Sequence, residues 1–292
     1  MPLSQCQERV CVCVCACVCV CVYCSDVSIT DKIRTNGQDN DVLGLTSVDD
    51  ELFVLLHQDV YQVTVYSTND YKRLRYFNLR GFKQHHFNDI VSCVRLKCLF
   101  MSDFDSECVL RYDLISRDTS KWDVHRPRSL SVTPSGNLLV TSWGRYFWPN
   151  KLLELSAVSG ECLRKITLRS GPAEYPAHGV QLPTGQFVVC FASSGLYQVR
   201  VVDAEGQLTH TYGGKPYNPD RKHCPYHLAV DSDSQAIFVS ADNGVDVLFS
   251  PSLSYVHGFR ERLSHPCRLY FEQVSRRLFV DQRDIDIAVI QL

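Results

Sequence analysis

Two histidines stand at equivalent places in this sequence. His178 and His227 each lie two residues after a proline, Pro176 and Pro225, at the start of an apolar run. Several histidines that converge on one point can hold zinc, so this pair is the chain's candidate for metal chemistry. At the same offset, the other repeats have Leu43, Val91, Ser129 and Arg268. Because no third histidine shares the register, we interpret the two as a hydrogen-bonded core pair and predict no metal or other cofactor.

An aromatic stretch is the most distinctive candidate for binding. Residues 142–149 read SWGRYFWP, four aromatic rings and an arginine in eight residues. Trp, Tyr and Arg are the residue types that dominate binding energy at protein interfaces. The predicted contact residues in this loop are Trp143, Arg145, Tyr146, Phe147 and Trp148. An alternative stays open, in which the rings pack over a neighbouring element as a structural cover.

Two long connections, residues 80–87 and 213–223, interleave cations with aromatic rings. Their predicted contact residues are Lys83, His85, His86, Lys215, Tyr217, Arg221 and Lys222. Such a mixture suits a phosphate backbone with stacked bases, so RNA is one candidate ligand. However, acidic residues are expected on the same side, namely Asp103, Asp105, Glu107, Asp242, Asp284 and Asp286. With a net charge of −2, the chain has no strongly basic field, and we favour a protein partner over RNA.

The elements that must position these residues are short β-strands in repeated units. Residues 225–250 read PYHLAVDSDSQAIFVSADNGVDVLFS, three β-branched runs separated by turn residues. Six such units follow one another, and their second strands share apolar triplets that begin at Leu52, Leu99, Leu138, Phe187, Ile237 and Leu278. This spacing is typical of the blades of a β-propeller.

Fourth strands can be recognised in the first five units, but the sixth unit ends at Leu292 after its third strand. An additional strand, Val27–Thr35, precedes the first unit and can complete the last blade. We therefore predict an all-β fold over residues 26–292, a six-bladed β-propeller of four-stranded antiparallel blades, closed by the N-terminal strand.

Residues 1–25 are predicted to lie outside this domain. Residues 11–22 read CVCVCACVCVCV, which we interpret as a low-complexity tract, such as a (TG)n repeat encodes, without a fold of its own. In that interpretation the natural start of the chain is missing. A signal-peptide core and a thiolate cluster are alternatives that stay open. The seven later cysteines, from Cys93 to Cys267, form no paired framework, which is typical of a cytoplasmic protein.

The fifth unit resembles the NHL repeat, the unit of a family of six-bladed β-propellers. Pro225, His227–Asp231, Phe238–Asp242, Asn243 and Val245–Phe249 carry the resemblance, and the other units match more loosely. It implies a non-catalytic recognition module, similar to the domain with which TRIM-NHL ubiquitin ligases bind proteins or RNA. The RING, B-box and coiled-coil segments of those ligases have no counterpart in this chain, so we expect a monomeric propeller unless a missing upstream coiled coil oligomerises it. With a net charge of −2, we also expect no membrane association.

Enzymes of similar fold are the remaining alternative. Peptidylglycine lyases hold a central zinc with several histidines, and sugar lactonases use acidic and amide residues at the axis. The chain offers His178 and His227 for the first, and Asp231 for the second. Both sets are incomplete, so the sequence favours a binding protein.

Overall fold

The computed structural model describes residues 11–13, 19–21, 29–35, 41–57, 61–79, 87–144, 149–171, 174–193, 196–216, 227–241, 244–250, 252–259, 263, 265–282 and 286–292. Strands β1 (Cys11–Cys13) and β2 (Cys19–Cys21) pair with each other as a two-stranded antiparallel ribbon, separate from the other sheets. Whether the Cys–Val tract is a low-complexity artefact stays a prediction.

All other described strands belong to six sheets of four antiparallel strands, which are the blades. Blade 1 consists of β4 (Asp41–Val48), β5 (Glu51–His57), β6 (Tyr61–Ser67) and β7 (Arg73–Asn78). Blade 2 consists of β8 (Phe87–Cys93), β9 (Cys98–Asp103), β10 (Cys108–Asp113) and β11 (Thr119–Asp123), with a 3₁₀ turn at Val94–Leu96. Blade 3 consists of β12 (Pro127–Val132), β13 (Leu138–Ser142), β14 (Lys151–Leu155) and β15 (Cys162–Thr167).

The remaining blades follow the same order along the chain. Blade 4 consists of β16 (Tyr175–Gln181), β17 (Phe187–Ser193), β18 (Leu196–Val202) and β19 (Leu208–Pro216). Blade 5 consists of β20 (Leu228–Asp231), β21 (Ala236–Ala241), β22 (Gly244–Phe249) and β23 (Ser254–Phe259). Blade 6 consists of β24 (Pro266–Glu272), β25 (Arg277–Gln282), β26 (Asp286–Gln291) and β3 (Ile29–Ile33).

Closure of the propeller depends on the last of these pairings. β26 pairs antiparallel with β3, with Ile287 opposite Ile33 and Val289 opposite Asp31. The Thr30 hydroxyl also donates a hydrogen bond of 3.1 Å to the Val289 carbonyl. The N-terminal strand thus occupies the outer edge of blade 6, which would otherwise have only three strands. The predicted six-bladed architecture and its closure by the N-terminal strand are confirmed.

The core lies between the blades, because each blade buries both of its faces against its neighbours. Successive residues of a strand point to opposite faces, so the three residues of the triplet Leu52–Val54 pack on two different faces of the blade. Leu52 and Val54 pack in the cluster between blades 6 and 1, and Phe53 packs in the cluster between blades 1 and 2. Each of these buried side chains contributes about 1.5–3 kcal/mol to folding. This two-sided burial explains the continuous apolar triplets of the second strands.

The first strands of the blades adjoin one another around the centre of the propeller. Five of them have a register shift near their start, between the residue pairs Val42/Gly44, Phe87/Asp89, Pro127/Ser129, Pro176/His178 and Pro266/Leu269. An additional residue in a strand re-aims the side chains next to it. The pairing places one residue of each blade at the equivalent position after this shift. We call these residues the axial ring: Gly44, Asp89, Ser129, His178, His227 and Arg268.

The strand pairing corrects the register that the sequence predicts for blades 1 and 2. Leu43 and Val91 are not equivalent to His178, because Val42 and Phe87 take the place that proline has in the later blades. The equivalent residues are Gly44 and Asp89. An acidic residue therefore joins the two histidines in the axial ring.

Candidate functional site

The axial ring connects neighbouring blades through one repeated hydrogen bond. The backbone N–H of Leu130 in blade 3 donates to Asp89 Oδ2 of blade 2, over 2.8 Å. Leu228 of blade 5 donates to His178 Nδ1 of blade 4 over 3.3 Å, and Leu269 of blade 6 donates to His227 Nδ1 of blade 5 over 3.4 Å. In each case the donor directly follows the ring residue of the next blade. Three of the six ring side chains, those of Asp89, His178 and His227, are thus acceptors that hold adjacent blades in register.

Blade 1 departs from this pattern because its ring residue, Gly44, has no side chain. The Ile90 N–H of blade 2 instead donates to Oδ1 of the preceding residue, Asp89, over 2.8 Å. A Cβ on Gly44 would lie 2.8 Å from that oxygen and 2.7 Å from the Ile90 nitrogen. Asp89 therefore occupies the space of the absent side chain and uses both of its oxygens on backbone N–H groups.

These contacts determine the tautomer of both histidines. Because each Nδ1 accepts a backbone N–H, the ring proton of each neutral imidazole lies on Nε2. His178 Nε2 donates it to the Leu130 carbonyl over 3.2 Å. His227 Nε2 faces Asp89 Oδ2 at 3.9 Å, beyond hydrogen-bonding distance, and has no hydrogen-bond partner in the described part of the chain. The two rings stack with their centroids 3.8 Å apart.

Burial keeps the histidines neutral while Asp89 stays charged. Desolvation lowers the pKa of His178 well below its ordinary value, and it also lowers the pKa of His227. Burial acts to raise the pKa of Asp89, but the polar side chain of His227 beside it and the positive charge of the Arg268 guanidinium outweigh this and hold that pKa below its usual value. At neutral pH the group therefore contains one carboxylate and two neutral imidazoles.

The hydrogen bonds of this group decide whether it can hold a metal ion. Asp89, His178 and His227 offer ligand atoms within 4.8 Å of one another. Yet each neutral imidazole has one lone pair, and a backbone N–H already uses it. Coordination through Nε2 would move the proton to Nδ1, where it would face the N–H of Leu228 or Leu269. The arrangement fits a hydrogen-bonded hub and does not fit a metal centre.

A second group lies where the loops between second and third strands meet the connections between blades. Trp143, directly after β13, donates its indole N–H to the Pro176 carbonyl of blade 4 over 2.6 Å. Its ring centroid is 5.2 Å from that of Phe104 in blade 2 and 4.8 Å from that of Tyr175 in blade 4. The Arg128 guanidinium lies 4.9 Å above the same ring. Trp143 is half-buried and connects three blades.

Arg126 extends this group outward. Its guanidinium lies 4.5 Å above the ring of Phe104, in a cation–π contact. The Arg126 backbone has φ = 44°, in the left-handed region, although a proline follows it. A non-glycine residue is strained there, and such strain is often found at binding sites. We call Phe104, Arg126, Arg128, Trp143 and Tyr175 the loop-face cluster.

Of the contact residues predicted from the sequence, the structure places Trp143 in this cluster. Residues Arg145, Tyr146, Phe147, Trp148, Lys83, His85, His86, Tyr217, Arg221 and Lys222 lie outside the described residues. Lys215 belongs to β19, but its side chain is also outside the described part. The binding roles of all these residues stay predictions.

Sequence reasoning missed the other members of the loop-face cluster. Four blades have a proline near the start of their first strand, Pro127, Pro176, Pro225 and Pro266, which we call the anchor prolines. Arg126 and Tyr175 directly precede an anchor proline, and Arg128 directly follows one. Their shared position next to the anchor prolines was a sequence signal that could have placed these three residues on the same face of the propeller as Trp143. Asp89 was missed because blade 2 has no anchor proline.

Comparisons with known proteins identify the fold and no family. No protein-family model and no curated protein sequence matches the chain. Among solved structures, a chain of hydrazine synthase from Kuenenia stuttgartiensis matches 89% of this chain and 99% of its own, with a TM-score of 0.61 and 12% identity. The β-propeller domain of Cps50 (Swd1) from Myceliophteria thermophila matches 90% of this chain and 86% of its own, with a TM-score of 0.57 and 12% identity.

At this identity the likeness is one of fold alone. The chain is a six-bladed β-propeller. In the described part of the chain, no helix is long and apolar enough to cross a membrane.

Proposed function

We propose that this propeller is a non-catalytic recognition module that binds a protein partner through its loop face, the surface on which the loop-face cluster lies. The loop-face cluster is the observation that carries the proposal. It combines the indole of Trp143, the phenol of Tyr175 and the guanidinium of Arg126 in one surface region, and such groups supply most of the binding energy of protein interfaces. Tyr175 is 36% exposed, so its ring is available to a partner.

The rigidity of the cluster supports this role. Trp143 is fixed by its hydrogen bond to Pro176 and by rings on either side. A surface that is already ordered loses little conformational entropy when a partner binds. In the proposal, Trp143 is the half-buried support of the site, and Tyr175 and Arg126 are its outer contacts.

The resemblance to NHL repeats extends the proposal. By that resemblance, the chain acts like the substrate-recognition domain of a TRIM-NHL ubiquitin ligase, in the cytoplasm, and presents a substrate for ubiquitin transfer. Six described cysteines of the propeller are free thiols, in keeping with a reducing compartment. The missing match to any family model leaves this extension to experiment.

The two alternative functions have less support. The mixed charge of the face, where Glu107 pairs with His125 over 3.0 Å, is less favourable for RNA than a basic stripe would be. The axial histidines lack the free lone pairs that a metal-dependent lyase needs. For a lactonase, Asp231 is engaged with Ser234 and with Arg276, and its pKa is held below the usual value although burial acts to raise it.

A pull-down from cells with chemical crosslinking tests the proposal. We expect the double variant Tyr175→Ala and Arg126→Ala to lose the proteins that the wild-type chain captures, with the unfolding midpoint lowered by only a few degrees because a ring contact and a cation–π contact are lost. The matched control is Tyr76→Ala with Arg73→Ala, two exposed residues on the outer strand β7. Equal capture by both double variants would refute the proposal. Capture that disappears after nuclease treatment would assign the face to RNA instead.

A further inference from the structure

Two arginines from distant blades converge on one residue beside the axial ring. Arg268 of blade 6 donates from Nη2 to the Asn88 carbonyl of blade 2 over 3.0 Å. Arg128 of blade 3 donates from Nη1 to the Asn88 side-chain oxygen over 2.7 Å. Blade 1 stands between blades 6 and 2, and its ring residue Gly44 has no side chain to separate them. Asn88 thus accepts one hydrogen bond from each of the two guanidinium groups.

Arg268 lacks an anionic partner of its own. In the part of the chain that the structure describes, its hydrogen bond goes to a neutral carbonyl, and no carboxylate lies within ion-pair distance. Asp89 is close enough for Arg268 to help lower the pKa of its carboxyl group. However, both Asp89 oxygens already accept backbone N–H groups. The half-buried guanidinium of Arg268 thus has donors that neutral oxygens satisfy only in part.

We propose that the Arg128–Asn88–Arg268 site binds a carboxylate of an acidic segment in the protein partner. A carboxylate can replace the two Asn88 oxygens as acceptor, and it forms charge-assisted hydrogen bonds about twice as strong as neutral ones. The inference rests on the proposed function, because it specifies which chemistry the partner of the loop face brings.

The charges around the site favour an acid. Arg126 adds a third cation to the same face, and the two histidines below are neutral. Glu107 is already paired with His125, at 3.0 Å. Asp103 and Asp105 lie at the end of β9 on the blade 2 side of this face. An acidic segment is therefore best accommodated on the Arg268 side, away from those two carboxylates.

Fluorescence anisotropy with a labelled octaglutamate peptide tests the site in the full chain. We expect wild-type protein to bind this peptide at low salt and not to bind octalysine. Arg268→Gln and Arg128→Gln should each weaken octaglutamate binding about tenfold or more, the usual loss when one partner of a desolvated charge pair is removed. The control Arg73→Gln, on the exposed outer strand β7, should leave the affinity unchanged.

A milder variant keeps the inference testable if a glutamine variant fails to fold. Arg268→Lys retains the charge without the planar fork, and it should weaken octaglutamate binding by a smaller factor. Wild-type affinity in Arg268→Lys and in Arg128→Gln, or no octaglutamate binding by wild-type protein, would overturn the inference. Tighter binding of an oligouridine RNA, lost in the same variants, would also overturn it in favour of a phosphate ligand.

The inference and the proposed function can fail separately. If partner capture depends on Tyr175 and Arg126 but octaglutamate does not bind, the loop face binds proteins by another chemistry and only the inference is wrong. If octaglutamate binds through Arg268 while capture is independent of Tyr175 and Arg126, the proposed function is wrong.

Discussion

Replacing His178 with alanine tests the assignment of the axial group as a structural hub. The side chain joins three blades, because it accepts the Leu228 N–H of blade 5 and donates to the Leu130 carbonyl of blade 3. Alanine removes both contacts and leaves two buried backbone groups without a partner. If His178 served only as a metal ligand or a catalytic residue, its replacement would not need to lower the stability of the fold.

The size of the effect follows from those two groups. A buried donor or acceptor that loses its partner costs about 1–3 kcal/mol. Two such groups together cost about 2–6 kcal/mol, a large part of a total stability of about 5–15 kcal/mol. The expected decrease in the unfolding midpoint is on the order of 10 °C for a chain of this size. A water molecule that enters the vacated space would place the loss at the lower end.

Thermal and urea unfolding of three variants measure this cost. His178→Ala should be destabilised as calculated. His178→Gln should recover most of the stability, since its amide offers an oxygen to the Leu228 N–H and an N–H₂ to the Leu130 carbonyl. His210→Ala, on the exposed outer strand β19, is the matched control and should be neutral. If His178→Ala unfolds like the control, the hub assignment is refuted.

Further predictions concern pH and the packing of the axial ring. Because both ring histidines have lowered pKa values in the folded chain, the unfolded chain binds more protons below its ordinary histidine pKa of 6.5. The free energy of unfolding is therefore highest above that pH and decreases as the pH falls. Because the unfolded chain takes up two protons, one on each histidine, the decrease is up to about 2.7 kcal/mol per pH unit. His178→Gln should reduce this slope by about half in urea titrations between pH 5 and 7, and an unchanged slope would contradict the proton count. Gly44→Ala should cost about 1–3 kcal/mol because its Cβ meets the Ile90 nitrogen, whereas Gly171→Ala meets only the Glu174 side chain at ordinary distance and should be nearly neutral. Equal midpoints for these two alanine variants would show that the ring tolerates a side chain at blade 1.

The sequence predicts the fold well because strand period and turn chemistry are local signals. The apolar triplet Leu278–Val280 and the absence of a fourth strand after it were enough to predict closure by the N-terminal segment. Strand period and turn chemistry depend on residues close together in the chain. The pairing of β26 with β3 confirms the predicted closure.

The axial ring could be predicted only in part, since it depends on pairing between distant strands. Where a proline marks the start of a blade, as for His178, counting residues gives the correct position. Where a blade has no such proline, the position cannot be counted from a fixed residue. In blade 2 the sequence therefore predicts Val91 at the position that Asp89 occupies. The hydrogen bonds between blades join residues about 40–50 positions apart, so no local sequence pattern predicts them.

The loop-face cluster shows a different limit. The aromatic content of residues 142–149 singled out Trp143, which the structure places in the cluster, but its binding role stays a prediction. Its partners Phe104 and Tyr175 come from neighbouring blades and are brought to it by the curvature of the propeller. The sequence left two roles open for these rings, recognition and cover. The hydrogen bond to Pro176 favours cover for Trp143 itself and leaves recognition to its more exposed neighbours.

Site-specific photocrosslinking tests the proposed binding face most directly. Benzoylphenylalanine in place of Tyr175 on the loop face, or in place of the more exposed Tyr76 on the outer strand β7, reports which surface a partner touches in cells. We predict a covalent protein adduct from the Tyr175 position and none from the Tyr76 position. Adducts from Tyr76 alone would contradict recognition through the loop face.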